Sequence, residues 1–500
     1  MRVSLENIPA AKIEAQALVT YVFEPEIEQE KASKGSLGGV LAEMDRAGGG
    51  AIAKLAASGE LTGKMLEMTL LHFVPGIAAE RLLLVGAGKR ESFGSAELRK
   101  VAASAIRFLK SRSVKRLAFL AREPESAAGA EAITEGLLLG NFDGDKHRTE
   151  KKPAPIESVS LVGFGAGAQA GVDRGIVIAG AQNLTRELGN EPSNLMTPPI
   201  LADQAAAVAR AAGLTVDVLD EKRIAELKMG AILSVAQGSA VPPRVIVITY
   251  NPPNPKPGAP VLGLVGKAVT FDTGGISIKP ANDMEKMKFD MAGGAAMLGV
   301  MQALATLKPA IKVIAVIPSA ENMPGGRAQK PGDVQVAMSG KSIEVINTDA
   351  EGRLLLADGI AYAKQLGATH LVDAATLTGA VVVALGSVNT GVFGTDKAFT
   401  DRVLASAQTA GEKMWQLPLD EEYRDLIKST IADIQNVGGR WGGAITAAWF
   451  LREFTGDTPW VHLDIAGTAW LDDPKPWMGK GGTGVAVRTL IDLAMNFETK

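Results

Sequence analysis

The sequence predicts an α/β fold in two parts. A small N-terminal α/β domain is followed by a linking helix and a larger C-terminal domain with a mainly parallel sheet flanked by helices. Three observations carry this prediction. Five hundred residues exceed the roughly 250–300 at which a single core stops growing. Short apolar runs alternate with helical patterns along most of the chain, as they do where helices cover both faces of a parallel sheet. Hydrophobic residues make up 46% of the chain, which is ample for packed interiors and excludes a mostly disordered protein.

In chain order, Leu82 to Val85, Leu117 to Ala121 and Ser158 to Val162 read as buried strands. Between them Leu98, Val101, Ala102, Ala105 and Leu109 recur at helical spacing, with Glu97, Arg99, Lys100, Arg107 and Lys110 on the opposite face. The polar stretch from Asp143 to Lys152 reads as an exposed loop. These elements make residues 1–167 the first domain. Residues 168–188 read as the linking helix, which Asn190-Glu191-Pro192 stops. Residues 189–500 form the second domain. Its predicted strands are Leu214–Leu219, Val245–Tyr250, Val261–Val265, Lys312–Ile317, His370–Ala374 and Val461–Ile465. Its predicted helices are Leu201–Ala212, Met291–Leu307, Leu354–Gln365, Ala444–Leu451 and Val485–Met495.

Composition excludes several function classes. With 52 Lys and Arg against 55 Asp and Glu, the net charge is −3, so nothing global attracts nucleic acid or an anionic membrane. The absence of cysteine excludes disulfides, thiolate zinc sites, iron–sulfur clusters and a cysteine nucleophile. No run approaches ~18 uninterrupted apolar residues, so no membrane span is expected. Glu6 and Glu14 stand where a secretion signal needs an apolar run. A soluble cytoplasmic protein is the resulting expectation.

Three glycine clusters imitate nucleotide loops and read better as tight turns. Gly86-Ala87-Gly88 has Glu91 in the third glycine position, and Gly163-Phe164-Gly165 lacks the acidic strand end that would hold ribose. Ser339-Gly340-Lys341-Ser342 has Gln335 where a P-loop needs its leading glycine. His72, His147, His370 and His462 show no paired ligand spacing, and His370 and His462 read as hydrogen-bonded core residues. Any bound metal must therefore be held mainly by oxygen.

Two segments concentrate charge in apolar, glycine-rich surroundings. One is Lys267-Ala268-Val269-Thr270-Phe271-Asp272-Thr273-Gly274-Gly275, continuing through Lys279 to Asp290, and the other is Asn347-Thr348-Asp349-Ala350-Glu351-Gly352-Arg353-Leu354. The strand Val261–Val265 would deliver Lys267 and Asp272 to its carboxyl end, where open α/β sheets place ligands. Asp349 and Glu351 are two apart, so an extended segment would turn both carboxylates one way. Each residue alone has a simpler role: Asp290 as a helix N-cap, Lys279 as a solvated loop lysine, Lys267 and Asp272 as an ion pair. Together, Asp272, Asp290, Asp349 and Glu351 would repel one another at one sheet edge unless cations compensated them. Two divalent ions supply the four positive charges required.

The segment Asn347–Leu354 resembles the signature of the leucyl aminopeptidase family, and Lys267–Asp290 is similar to that family's other metal motif. The likeness is to bacterial cytosolic aminopeptidases and covers roughly the whole C-terminal domain, including Asp373–Gly379 and His462–Trp470. Ala268 and Gly359 depart from the usual pattern, and neither is a ligand position. The resemblance implies one metal on Lys267, Asp272, Asp290 and Glu351, and another on Asp272, Asp349 and Glu351. It implies a metal-bridged hydroxide attacking the first peptide bond of a substrate with a free N-terminus. Lys279 would stabilise the oxyanion, and Arg353 would hold a bicarbonate ion acting as general base. Zinc, manganese, cobalt and magnesium all suit such a ligand set, with zinc or manganese favoured.

By the same resemblance Met287, Thr376, Ala466 and Ala469 line the pocket for the first side chain, which favours leucine and methionine. Small Ala469 would let a long lysine or arginine chain reach water. A homohexamer is also implied. Some relatives bind DNA, so DNA is a partner to consider, although the charge gives it no support. A non-catalytic scaffold that keeps the fold is opposed by the complete set of seven charged residues.

Overall fold

A computed structural model describes residues 1–33, 37–122, 126–150, 153–165 and 167–497. The chain divides into two compact units, one of Met1–Gly180 with Asp473–Lys480, the other of Ala181–Asp472 with Gly481–Lys500.

The first unit is a six-stranded sheet ordered Arg2–Glu6, Ser158–Val162, Arg116–Leu120, Ala17–Val22, Arg81–Gly86 and Met68–His72. All neighbours are parallel except the last pair. Along Ala17–Val22, Val19 and Tyr21 enter one buried cluster with Leu98, Val101 and Leu109, while Leu18 and Val22 enter another with Leu41 and Met44. Burial on both faces explains why these strands read as continuous apolar runs. Three strands escaped the sequence reading: Ala17–Val22, Met68–His72 and the edge strand Arg2–Glu6, whose pattern only Val3 and Leu5 carry. The predicted loop from Asp143 has no helix or strand through Glu150, and Lys151 and Lys152 lie outside the described residues.

Ala168–Asn190 is one helix of 23 residues. Beyond it the second unit carries a nine-stranded sheet. Its central strands Trp460–Asp464, His370–Ala375, Val261–Gly266 and Lys312–Asn322 are mutually parallel. Arg244–Tyr250 joins antiparallel to Lys312–Asn322, and Thr390–Gly394 antiparallel to Trp460–Asp464. Three strands of this sheet were not anticipated: Thr390–Gly394, Met414–Gln416 and Ala268–Asp272. The last of these lies nearest the site: Val261–Gly266 breaks at Lys267 and resumes as Ala268–Asp272, parallel to Lys312–Asn322 in the same register until a bulge between Val269 and Phe271. The carboxyl ends of five strands, at Gly266, Asp272, Asn322, Ala375 and Asp464, thereby meet on one edge of the sheet.

Helix Ala292–Leu307 lies close on this sheet because Gly293 allows it. A Cβ there would come within 2.3 Å of the Ala374 carbonyl oxygen and 3.2 Å of Lys267 N. The backbones lock together, with Lys267 N donating to Ala374 O (3.2 Å) and Gly294 N donating to Lys267 O (2.7 Å).

Candidate metal centre

Lys267 sits at the break between Val261–Gly266 and Ala268–Asp272, and its side chain is 3% exposed. Its Nζ lies 2.8 Å from Asp290 Oδ2 and 2.8 Å from Glu351 Oε1, and donates to Thr376 O at 2.9 Å. The helix opened by the signature segment can approach this lysine only through Gly352, where a Cβ would lie 2.6 Å from Lys267 Cδ and Cε. Asp272 ends its strand, and its Oδ1 accepts from Gly274 N (2.9 Å) and Asn322 Nδ2 (2.8 Å). Its Oδ2 lies 2.8 Å from Lys279 Nζ, which also lies 2.5 Å from Asp349 Oδ1. Oxygen atoms of Asp272, Asp290 and Glu351, all buried, lie within 4.8 Å of one another.

Asp290 does not take the simpler N-cap role: it lies in the last turn of the 3-10 helix Met284–Met291, Met291 caps the following helix, and Asp290 Oδ1 accepts from Thr376 Oγ1 at 2.6 Å. Nor is the Asp349–Glu351 segment extended. It is a turn, with Glu351 already in helical conformation (φ −80°, ψ −36°). The two carboxylates therefore meet different lysines, Glu351 against Lys267 and Asp349 against Lys279.

The electrostatics of the cluster are those of crowded carboxylates. Burial raises the Asp290 carboxyl well above its usual range, and Glu351 and Asp272 add to this while Lys267 opposes it. Burial and then Asp272 likewise raise Glu351 and Asp349. Burial alone would pull Lys267 down, but Asp290, Glu351 and Asp272 together hold it above the ordinary lysine range. Lys279 is raised in the same way by Asp272, Glu351 and Asp349 against its burial. Asp290 Oδ2, Glu351 Oε1 and Asp349 Oδ1 are buried and meet only the lysine ammonium groups beside them. Carboxylate oxygens that are buried and convergent suit hard divalent cations. The residues present fit such ions.

Arg353 stands apart. It is buried and makes no ion pair among the described residues, donating Nη1 to Asn436 O at 2.6 Å while its Nε has no partner. Burial lowers its pKa to about 10, with Glu351 and Asp464 opposing. Of the pocket candidates, Thr376 touches Asp290 directly, Met287 is half-buried on the 3-10 helix that carries Asp290, and Ala466 N donates to Asp464 Oδ1. Ala469 borders a largely apolar cavity with Phe289, Ala292, Ile465 and Val485. His462 is the predicted core histidine, its Nδ1 2.6 Å from Asp373 Oδ1.

Sequence reading missed the uncharged residues that hold this cluster and one acid, Asp464, on the same sheet edge. Asn322 Nδ2 bridges Asp272 Oδ1 and Thr348 O. Thr348 Oγ1 donates to Gly274 O and accepts from Ser277 N, stitching the Lys279 loop to the signature turn. Asp464 accepts from Leu377 N, Thr378 N and Thr378 Oγ1. The available signal was position: Asn322 and Asp464 are the polar last residues of apolar strands.

Comparison with known proteins decides the lineage. The catalytic-domain profile of the cytosol aminopeptidase family matches residues 183–491, and its N-terminal-domain profile matches residues 19–151. The chain belongs to the cytosol aminopeptidase family. It is similar to a probable cytosol aminopeptidase of Solibacter usitatus, with 54% identity over 100% of both chains. A second such relative, from Acidobacterium capsulatum, is 50% identical over 99% of this chain and 100% of its own. Among solved structures, a variant of tomato leucine aminopeptidase superposes with a TM-score of 0.89 at 33% identity, covering 99% of this chain and 96% of that one. The bottromycin maturation enzyme BotP in complex with Mn superposes at 0.84 with 32% identity, covering 96% and 99%. This cytosol aminopeptidase family member is a metal-dependent aminopeptidase, a hydrolase of two α/β units. Among the described residues no helix is long and apolar enough to cross a membrane.

Proposed function

We propose that the chain releases N-terminal residues from peptides, leucine and other apolar residues preferentially, in the cytoplasm and as a homohexamer. The observation that carries this reading is the convergence of buried Asp272, Asp290 and Glu351 within 4.8 Å around one sheet edge. Lys267, Asp272, Asp290, Asp349 and Glu351 would hold two divalent ions, manganese or zinc in the first place. When bound, such ions would supply Lewis acidity, lowering the pKa of water toward neutrality and polarising a carbonyl. Lys279, partly exposed at 21%, is the cation that can reach an oxyanion developing above the cluster. Arg353, with a free Nε in a buried setting, would hold bicarbonate, which supplies the general base. The free α-amine of the substrate is a neutral donor suited to such ions, which restricts cleavage to chain ends.

The test uses chelator-stripped protein verified metal-free by elemental analysis, then reloaded with Mn2+ or Zn2+. Leucine p-nitroanilide should be cleaved only after reloading, N-acetyl-leucine p-nitroanilide under neither condition. Glu351→Ala should bind less metal and lose turnover. Full activity in the stripped protein, or in Glu351→Ala, overturns the reading.

A further inference from the structure

Asn436 lies far along the chain from the signature turn, yet every hydrogen-bonding group it has is spent on that turn and its flanks. The short strand Ile434–Gln435 pairs in parallel with Ser342–Glu344 and brings Asn436 beside the start of the turn, with Asn436 N donating to Glu344 O at 2.9 Å. The side chain is fully buried. Its Oδ1 accepts from Ile346 N (2.8 Å) and Asn347 N (3.3 Å), and its Nδ2 donates to Asn347 O (2.7 Å) and Ala350 O (3.4 Å). Two amide donors face the oxygen and two carbonyl acceptors face the nitrogen, so only one orientation of the amide satisfies them. The backbone carbonyl of the same residue accepts from Arg353 Nη1 at 2.6 Å, the one hydrogen bond Arg353 makes among the described residues.

We propose that Asn436 is a positioning residue for the aminopeptidase reaction. Its side chain clamps the turn that carries Asp349 while its carbonyl aims the Arg353 guanidinium, so the two are held in one fixed relation. This rests on the reading that Asp349 is a metal ligand and Arg353 takes part in catalysis. Aspartate in the same place would keep the acceptor but lose both donations, and alanine would lose all four side-chain bonds. A buried turn left with unpaired amides and carbonyls shifts to find partners. A shift near 1 Å in a reacting constellation costs about 100-fold in rate.

The experiment compares Mn2+-loaded wild type, Asn436→Ala, Arg353→Ala and the double variant on leucine p-nitroanilide, with manganese per chain and unfolding temperature measured for each. Hydrogen exchange of the amides of residues 346–350 is followed in the metal-free proteins. Asn436→Ala should lose about 100-fold in kcat with KM little changed, and should exchange the Ile346 and Asn347 amides faster. The double variant should lose less than the sum of the single losses, because Asn436 acts partly through Arg353. If Asn436→Ala does not fold, Asn436→Asp provides the same comparison. A lower unfolding temperature with unchanged kcat per metal-loaded chain, or strictly additive losses, overturns the proposal. Absence of Mn2+-dependent turnover in the wild type overturns the functional reading and this proposal together. An active wild type with an equally active Asn436→Ala overturns this proposal alone.

Discussion

Asp358 is a lone carboxyl buried in the helix that follows the signature turn. Its oxygens accept from Ile232 N (2.9 Å) and Met338 N (2.7 Å). Burial raises its pKa to about 7, and the backbone hydrogen bonds offset this only in part. An unfolded aspartate titrates near ~3.9, so between those values the folded chain binds the extra proton. Stability from this group is therefore full below pH ~4 and is lost as pH rises through ~7. Asp358→Asn should flatten that contribution: the difference between wild-type and variant urea midpoints should shrink from about pH 4.5 to about pH 7.5. Midpoint curves that run parallel would remove Asp358 from the account. Single residues also decide selectivity. None of Met287, Thr376, Ala466 and Ala469 carries a charge, and the cavity beside Ala469 is bordered by Phe289, Ala292, Ile465 and Val485. An unpaired charge there costs several kcal/mol, against a gain of about 0.8 kcal/mol per buried methylene. Leucine and methionine anilides should show the highest kcat/KM, with glutamate and arginine anilides both poor. A glutamate derivative equal to leucine would rule out the pocket assignment.

At the scale of elements, the approach of helix Ala292–Leu307 to the sheet sets where Asp290 and Lys267 meet. Gly293→Ala would drive a methyl into the Ala374 carbonyl, 2.3 Å away. Overpacking of this kind costs typically ~1–3 kcal/mol, and here the displaced backbone is bonded to Lys267. The variant should unfold earlier and bind manganese more weakly, as differential scanning calorimetry and metal titration can determine. Unchanged metal affinity would show that the helix position is not transmitted to the cluster. Element identity was largely legible because strands buried on both faces are apolar throughout and the helices between them keep their period. The strand Ala268–Asp272 was hidden because Lys267 interrupts the apolar run, although pairing with Lys312–Asn322 continues past it in the same register. The charged cluster was legible since acids in apolar loops stand out. Asn322, Thr348 and Asn436 were not, because an uncharged polar residue carries neither period nor charge and acquires meaning only through partners distant in sequence.

Over the whole molecule, the second unit leaves large apolar side chains in the open, with Val383 90%, Trp441 76%, Ile278 63% and Trp415 61% exposed. The proposed homohexamer would give such side chains partners to pack against. Light scattering at micromolar concentration with metal present should give six times the chain mass, and a monomeric mass would refute the assembly. The division into units bears on how the chain is made. Asp473–Lys480 belongs to the first unit, where Lys100 Nζ lies 5.7 Å from the Trp477 ring centroid and Gly479 sits against Arg107 and Asp143. On a ribosome adding roughly 5–20 residues each second, that segment follows Gly180 by about 15–60 s. The N-terminal unit must therefore wait, one segment short, while residues 181–472 of the second unit are made.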